Sequence, residues 1–251
     1  MDLSFKSLGL SEELVGRLET IGFIEPTPIQ AQAIPPLLEG RDVAGQAQTG
    51  TGKTAAFSLP ILEQIDLATP AVQALILAPT RELALQVTDA IREMSGDRRQ
   101  VKKASSPYVL TVYGGQSIDS QIRRLQRGVH IVVGTPGRVL DMLDRGSLNL
   151  ENLRFLVLDE ADEMLSMGFI QDVEKILEAA PTERQTAFFS ATMDYSIRKL
   201  VNKFLTDPVS VKVAEKKTTP KRINQVAYQV PRGWSKAKAL QPILELEEPE
   251  A

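Results

Sequence analysis

Ala47-Gln48-Thr49-Gly50-Thr51-Gly52-Lys53-Thr54 lies between a short apolar run, 42–45, and an apolar stretch of helical spacing, 55–65. A glycine-rich turn that ends in Gly-Lys-Thr, after a strand and before a helix, is the pattern of a phosphate-binding loop. Its glycines let backbone amides converge on phosphate oxygens, and the helix that follows adds the positive end of its dipole. Lys53 would then reach the β- and γ-phosphates and Thr54 would ligate Mg²⁺. Ala47 stands where the general pattern has its first glycine. The alternative is a glycine turn of no consequence; the flanking strand and helix favour phosphate.

The same alternation runs outward from this loop. Short apolar runs rich in β-branched residues recur at 42–45, 72–78, 109–113, 130–134, 154–158, 186–189 and 209–213. Between most of them lie segments with helical periodicity. In 81–94, Leu83, Ala84, Val87, Ala90, Ile91 and Met94 form one stripe. The strands are almost continuously apolar rather than alternating, which predicts burial on both sides. The fold class is therefore α/β: a mostly parallel sheet with helices on both faces.

Two stretches interrupt the pattern. Residues 96–107 are polar, with Arg98, Arg99, Lys102 and Lys103, and read as a surface loop. Residues 216–238 carry seven basic residues and no acidic one around Thr218-Thr219-Pro220, the composition of a linker. Beyond it, 223–230 suits one strand and 235–246 one helix, too little to close a core. The expected organisation is a flanking segment 1–32 packed on a main domain 33–213, then a linker with the start of a second domain, 214–251.

Composition narrows the chemistry. The 251 residues are 43% hydrophobic and 24% charged, the balance of a chain able to bury a core. Cysteine is absent, which excludes disulfides, thiolate metal sites and cysteine nucleophiles. His130 is the one histidine, so multi-histidine metal sites are excluded too, and its place before a buried strand suits a structural role. Carboxylates, Lys and Arg, hydroxyls and backbone amides must do the work. No apolar run reaches membrane-spanning length and the N-terminus lacks an export signal, so a cytoplasmic protein with no membrane partner is expected. The formal charge of −3 argues mildly against non-specific coating of nucleic acid.

The second half of a nucleotide site should be acidic and sit at the tip of a buried strand. Phe155-Leu156-Val157-Leu158 followed by Asp159-Glu160 supplies it. Asp159 can hold Mg²⁺ together with retained waters. Glu160 adds a base able to orient and deprotonate water, which hydrolysis needs and mere binding does not. Both acids also suit a helix N-terminus. Gln30 offers the paired donor and acceptor that adenine presents at N6 and N7, and Phe23 offers a stacking face. Pro79-Thr80-Arg81 and Thr135-Pro136-Gly137-Arg138 each follow a strand and open a helix, placing amides and a cation where a phosphate can bind. Gly114-Gly115 permits close approach of a backbone.

Asp159-Glu160-Ala161-Asp162 spells D-E-A-D, and the whole ordered set resembles the N-terminal RecA-like half of a DEAD-box RNA helicase of bacterial type. Gly22-Phe23 with Pro26-Thr27-Pro28-Ile29-Gln30 resembles the Q motif, and Phe5 takes the place of its upstream aromatic. Alanine at the first position of Ala47–Thr54 is usual in that family. Pro79-Thr80-Arg81-Glu82-Leu83-Ala84 resembles motif Ia, and Thr135-Pro136-Gly137-Arg138 motif Ib. Gly114-Gly115 and the pair Gln121 and Arg124 lie between them. Ser190-Ala191-Thr192 resembles motif III.

The resemblance implies a RecA-like P-loop NTPase domain that uses ATP and Mg²⁺. Phe23, Gln30, Gln48, Thr49, Gly50, Thr51, Gly52, Lys53 and Thr54 would bind nucleotide, Thr54 and Asp159 the metal, and Lys53, Asp159 and Glu160 would serve catalysis. Pro79, Thr80, Arg81, Gly114, Gly115, Gln121, Arg124, Thr135, Pro136, Gly137 and Arg138 would hold RNA through its backbone, without regard to sequence. Asp162, Ser190 and Thr192 would couple the two. It also implies a second RecA-like domain, whose motifs these residues lack, so that this chain alone should bind nucleotide but barely unwind RNA. The competing readings are a non-catalytic nucleotide- or RNA-binding fragment and a different P-loop ATPase.

Overall fold

The computed structural model describes residues 4–96, 106–213, 226 and 228–247. The chain divides into two compact units, Met1–Glu215 and Lys216–Ala251.

In the first unit a 3₁₀ turn, Lys6–Leu8, leads into α1 (Glu12–Thr20) and α2 (Pro28–Leu38). Strand and helix then alternate: β1 (Val43–Gln46), α3 (Lys53–Gln64), β2 (Ala74–Leu77), α4 (Arg81–Ser95), β3 (Val109–Val112), α5 (Ile118–Leu125), β4 (Ile131–Gly134) and α6 (Pro136–Asp144). After β5 (Phe155–Leu158) come α7 (Ala161–Ser166), α8 (Ile170–Ala179), β6 (Gln185–Ser190), α9 (Tyr195–Phe204) and β7 (Val209–Lys212). The seven strands form one sheet in the order β3-β4-β2-β5-β6-β1-β7, and every pairing is parallel.

The apolar runs are continuous because both faces are covered. Leu75, Leu77, Val132, Leu156, Leu158 and Phe188 pack on one side with Val139 and Met142 of α6, Val173 and Ile176 of α8, and Leu200 of α9. Ala74, Ile76, Ile131, Val133, Val157 and Phe189 pack on the other with Ile29 of α2, Phe57 and Ile61 of α3, and Val87 and Ile91 of α4. Alternate residues of one strand thus serve opposite cores, as the period of two requires.

A third cluster packs the flanking segment on the main domain. Phe5, Leu8, Leu10, Leu14 and Leu18 pack on Ile34, Ala55, Leu59 and Met94, so α1 lies against the outer faces of α2, α3 and α4. Its start carries a clear signal, since Ser11 caps it by accepting from the Leu14 amide and Glu12 and Glu13 fill its first turn. Strand tips also differ by a residue or two from expectation: 72–78 contracts to Ala74–Leu77, while 186–189 extends to Gln185–Ser190. Asp42 falls outside β1 and acts as an acceptor at its base. Its carboxylate receives the Thr186 amide (2.7 Å) on one oxygen and the Thr206 amide (2.7 Å) on the other.

In the second unit α10 (Lys236–Glu247) matches the expected helix closely. Half of the strand expected at 223–230 lies outside the described residues, and the other half, 226 and 228–230, forms none. Of the loop expected at 96–107, residues 97–105 lie outside them as well. Among the described residues no helix is long and apolar enough to cross a membrane.

Candidate nucleotide and RNA site

Because all strands run one way, their C-terminal ends share an edge, and open parallel sheets bind ligands there. The 47–54 loop leaves β1 at that edge, and Asp159 leaves β5. Only β6 lies between the two strands.

Gly50 and Gly52 adopt φ of 75° and 94°, a left-handed backbone that lets the loop turn into α3. At Gly52 a side chain is excluded twice over. A Cβ there would stand 2.5 Å from Gln30 Nε2 and 3.0 Å from Thr27 Oγ1. Gln30 is fully enclosed at the start of α2. Its Oε1 accepts from the Thr27 amide (2.8 Å) and its Nε2 donates to the Gly52 carbonyl (3.1 Å). The amide read from sequence as an adenine contact therefore already joins the α2 start to the loop. Its second Nε2 hydrogen and second Oε1 lone pair are not used by these two bonds. Phe23 is half-buried and packs its ring against Phe5, with centroids 6.2 Å apart and tilted by 56°. Thr51 Oγ1 donates to the Gln48 carbonyl (2.7 Å), and Gln48, Thr49 and Gly50 are exposed at the loop's crown.

Lys53 is 5% exposed and its Nζ has no hydrogen-bond partner; the Asp159 Oδ1 is equally enclosed and equally without one. Burial pushes the Asp159 carboxyl up to about 6 against the pull of the Lys53 charge, with Glu160 adding to the rise. A buried ammonium and a buried carboxylate left unsatisfied in one corner are costly unless a ligand completes them. A polyanion answers the first and a divalent cation the second. One carboxylate, together with the hydroxyl that Thr54 supplies in the first turn of α3, would suit Mg²⁺, which keeps waters and phosphate oxygens as its remaining ligands. Among the described residues no cluster of three or more acidic or histidine side chains forms an all-protein metal cage.

Glu160 takes φ 55° and ψ 52°, left-handed for a residue with a side chain, at a strain of about 1–2 kcal/mol. It occupies the position before α7 without a side-chain capping bond, so helix capping does not account for it. Two residues on, Asp162 Oδ2 accepts from the Thr192 amide (2.9 Å) and from Thr192 Oγ1 (3.0 Å). Burial works to raise the Asp162 carboxyl, but the nearby Ser190 and Thr192 groups and the Ala191 amide outweigh it and hold it below the ordinary value. Ser190 Oγ is wholly enclosed beside that carboxylate without forming a hydrogen bond of good geometry, so the Thr192 pair is the firm tie. The segment is also pinned to the loop strand: the Ala47 amide donates to the Ser190 carbonyl (3.0 Å) and Gln46 Nε2 to the Ala191 carbonyl (3.3 Å).

At the other half of the edge, β3, β4 and β2 are neighbours, so the helix starts after them stand in a row. Thr80 caps α4 by accepting from the Leu83 amide (3.2 Å). Thr135 holds the corresponding place before α6, with Pro136 in the first turn, but its hydroxyl makes no capping bond. Pro79 and Pro136 are buried, Gly137 is exposed, and Gly114 and Gly115 are exposed with open space above them. Arg81 is exposed and its guanidinium lies over the Tyr113 ring, 4.7 Å from the centroid. Arg124 is exposed on α5.

Two residues of that set face inward instead. Gln121 is buried, with Oε1 accepting from the Tyr113 amide (3.2 Å) and Nε2 donating to the Tyr113 carbonyl (3.0 Å). Arg138 donates from Nη1 to the Gln116 carbonyl (3.2 Å) and lies 4.0 Å from Asp141 Oδ2. Both hold the 113–116 turn from below. Sequence offered no sign of this, because an amide or guanidinium looks the same whether it meets a ligand or a backbone. His130 is structural, its Nδ1 accepting from the Tyr108 amide (2.9 Å).

Comparison with known proteins gives a concordant picture. The family model described as DEAD/DEAH box helicase matches residues 27–200. The RNA helicase CrhR of Synechocystis is 59% identical over 248 residues, 99% of this chain and 49% of that protein. The DEAD-box ATP-dependent RNA helicase CshA of Geobacillus kaustophilus is 48% identical over 247 residues, 98% of this chain and 51% of that protein. Among solved structures, a DEAD box protein from the hyperthermophile Methanococcus jannaschii aligns with a TM-score of 0.78 at 43% identity, covering 84% of this chain and 56% of that one. The chain thus spans about half the length of the curated relatives it matches.

Proposed function

The chain belongs to the DEAD/DEAH box helicase family, and from that premise we propose that it is the ATP-binding half of an RNA helicase that couples ATP hydrolysis to local opening of an RNA duplex. One observation carries this reading: Lys53 Nζ and Asp159 Oδ1 are buried without a partner at the same sheet edge. Residues 33–213 are the RecA-like ATP-binding domain. The flanking segment 1–32 brings Phe23 and Gln30 to adenine. Residues 214–251 form the linker and the start of a second domain. The setting is cytoplasmic.

Lys53 and the amides of Gln48 to Thr54 hold the phosphate tail, and Thr54 and Asp159 hold Mg²⁺. The bound metal supplies neutralisation of phosphate charge. Glu160, fixed on its left-handed backbone, receives the proton of the attacking water, and β5 holds the carboxylate in place. Pro79, Thr80, Arg81, Gly114, Gly115, Thr135, Pro136, Gly137 and Arg124 contact the RNA backbone, while Gln121 and Arg138 position the turn that does so. Asp162, Thr192 and Ser190 carry the nucleotide state toward that groove. An arginine delivered to the transition state by a partner domain can be worth roughly 10³–10⁵ in rate. This chain by itself is therefore expected to bind nucleotide while hydrolysing it slowly and unwinding almost nothing.

Titration of a fluorescent ATP analogue, with and without Mg²⁺, tests the site. Lys53→Ala should weaken binding at least tenfold, on the order of the 1.5–3 kcal/mol of one charged hydrogen bond. Undiminished affinity in Lys53→Ala, or affinity indifferent to Mg²⁺, would reject the assignment.

A further inference from the structure

Resting on the RNA-groove reading above, we propose that Tyr113 is a positioning residue for single-stranded RNA: its buried ring carries the Arg81 guanidinium at the groove edge. Arg81 opens α4 beyond β2, whereas Tyr113 follows β3, and β4 lies between those strands. The arginine side chain therefore reaches across the mouth of β4 to lie over the ring at 4.7 Å.

An exposed arginine left to itself samples many rotamers and loses that freedom on binding. A ring face attracts the flat guanidinium and leaves its N–H edge free for phosphate oxygens. The ring in turn stands on a fixed backbone. Gln121 grips the Tyr113 amide and carbonyl together, and Arg138 ties down the Gln116 carbonyl three residues on. The two arginines that sequence assigned alike to RNA thus divide the work: Arg138 holds the turn, and the turn holds Arg81. Ordering Arg81 during folding removes part of its entropic cost from the binding step.

Fluorescence anisotropy of a labelled single-stranded oligouridylate, titrated with the 251-residue chain across a range of KCl, reads affinity and salt slope together. Arg81→Gln should weaken binding and lower the slope by about 0.7, the share of one phosphate contact on a single strand. Tyr113→Leu should lose about threefold to tenfold in affinity while keeping the slope, because the Arg81 charge remains. Tyr113→Phe, which keeps the ring face, should bind like the parent. Added to Arg81→Gln, Tyr113→Leu should cost nothing more. Parent-like binding by Tyr113→Leu, equal failure of Tyr113→Phe, or a full additional loss in the double variant would each overturn the proposal. An Arg81→Gln variant with unchanged affinity would bring down the groove reading itself, and the proposal with it. Should Tyr113→Leu not fold, as judged by circular dichroism, the exposed Arg81→Lys replaces it. That variant keeps the charge but loses the flat stack, and it should retain the slope while binding more weakly; parent affinity there refutes the role of the ring.

Discussion

Asp42 and Asp159 are two aspartates of one sheet, each 7% exposed, at opposite ends of its strands. At the N-terminal edge Asp42 is satisfied on both oxygens by the amides of Thr186 and Thr206, and it ties the bases of β1, β6 and β7 together. At the C-terminal edge Asp159 keeps one oxygen bare, and burial lifts its carboxyl to about 6. Equal burial with opposite satisfaction separates a structural charge from one kept for a ligand. The chain completes one edge of its sheet by itself and leaves the other to be completed from outside.

Substitution should pull the two apart in sign. Asp42→Ala strands the buried Thr186 amide and the partly buried Thr206 amide and is expected to cost about 2–4 kcal/mol in urea unfolding, while nucleotide affinity of the folded fraction stays as it was. A loss below 1 kcal/mol would mean the amides find other acceptors. Asp159→Asn removes a carboxylate that the apo chain holds at a net disadvantage. It is expected to raise stability by about 1–3 kcal/mol while abolishing the Mg²⁺ dependence of nucleotide binding. The gain has a pH signature. A raised carboxyl pKa contributes stability that is fully present below the ordinary 3.8 and disappears as pH climbs through about 6. The advantage of Asp159→Asn should therefore grow between pH 4 and pH 6.5 and level off above. Destabilisation by Asp159→Asn at every pH would erase the contrast with Asp42.

The smallest effect refines the picture at Asp162, which is satisfied yet belongs to the ligand edge. Thr192→Val deletes the 3.0 Å hydroxyl bond and leaves the amide bond. On this partly exposed carboxylate it should cost at most about 1 kcal/mol, with nucleotide affinity preserved. A lowered carboxyl pKa stabilises above its ordinary value and loses that support as pH falls, so the penalty should shrink in acid. A penalty of several kcal/mol would move Asp162 into the structural class with Asp42.

The fold was legible because its signals are local and redundant. Apolar runs such as Leu75-Ile76-Leu77 and Phe155-Leu156-Val157-Leu158 announce strands buried on two faces, and the spacing of Leu83, Val87 and Ile91 announces the helix between. The loop at 47–54 was legible for the same reason, since its glycines and lysine are read from eight adjacent residues. Pairings across the sheet were not. Nothing near Asp42 in sequence points to Thr186 or Thr206, and nothing near Gln121 shows that its amide closes on Tyr113 rather than opening to solvent. Tyr113 itself carries no signal apart from its ring, and the guanidinium above it comes from a different helix. The left-handed backbone of Glu160 escapes sequence too, because glutamate seldom takes that conformation and its place at the strand tip has to impose it.

Gly45 and Phe189 face each other across β1 and β6, where a methyl on Gly45 would lie 2.7 Å from the ring. In evolutionary terms these two positions form a single choice. Any lineage that placed a side chain at 45 would have to shrink the ring at 189 in compensation, or spread apart the two strands that carry the Gly-Lys-Thr turn and the Ser-Ala-Thr segment. A side chain at 45 alone is closed off, and substitution at 45 joined to a smaller residue at 189 is the route that leaves the spacing of those strands intact.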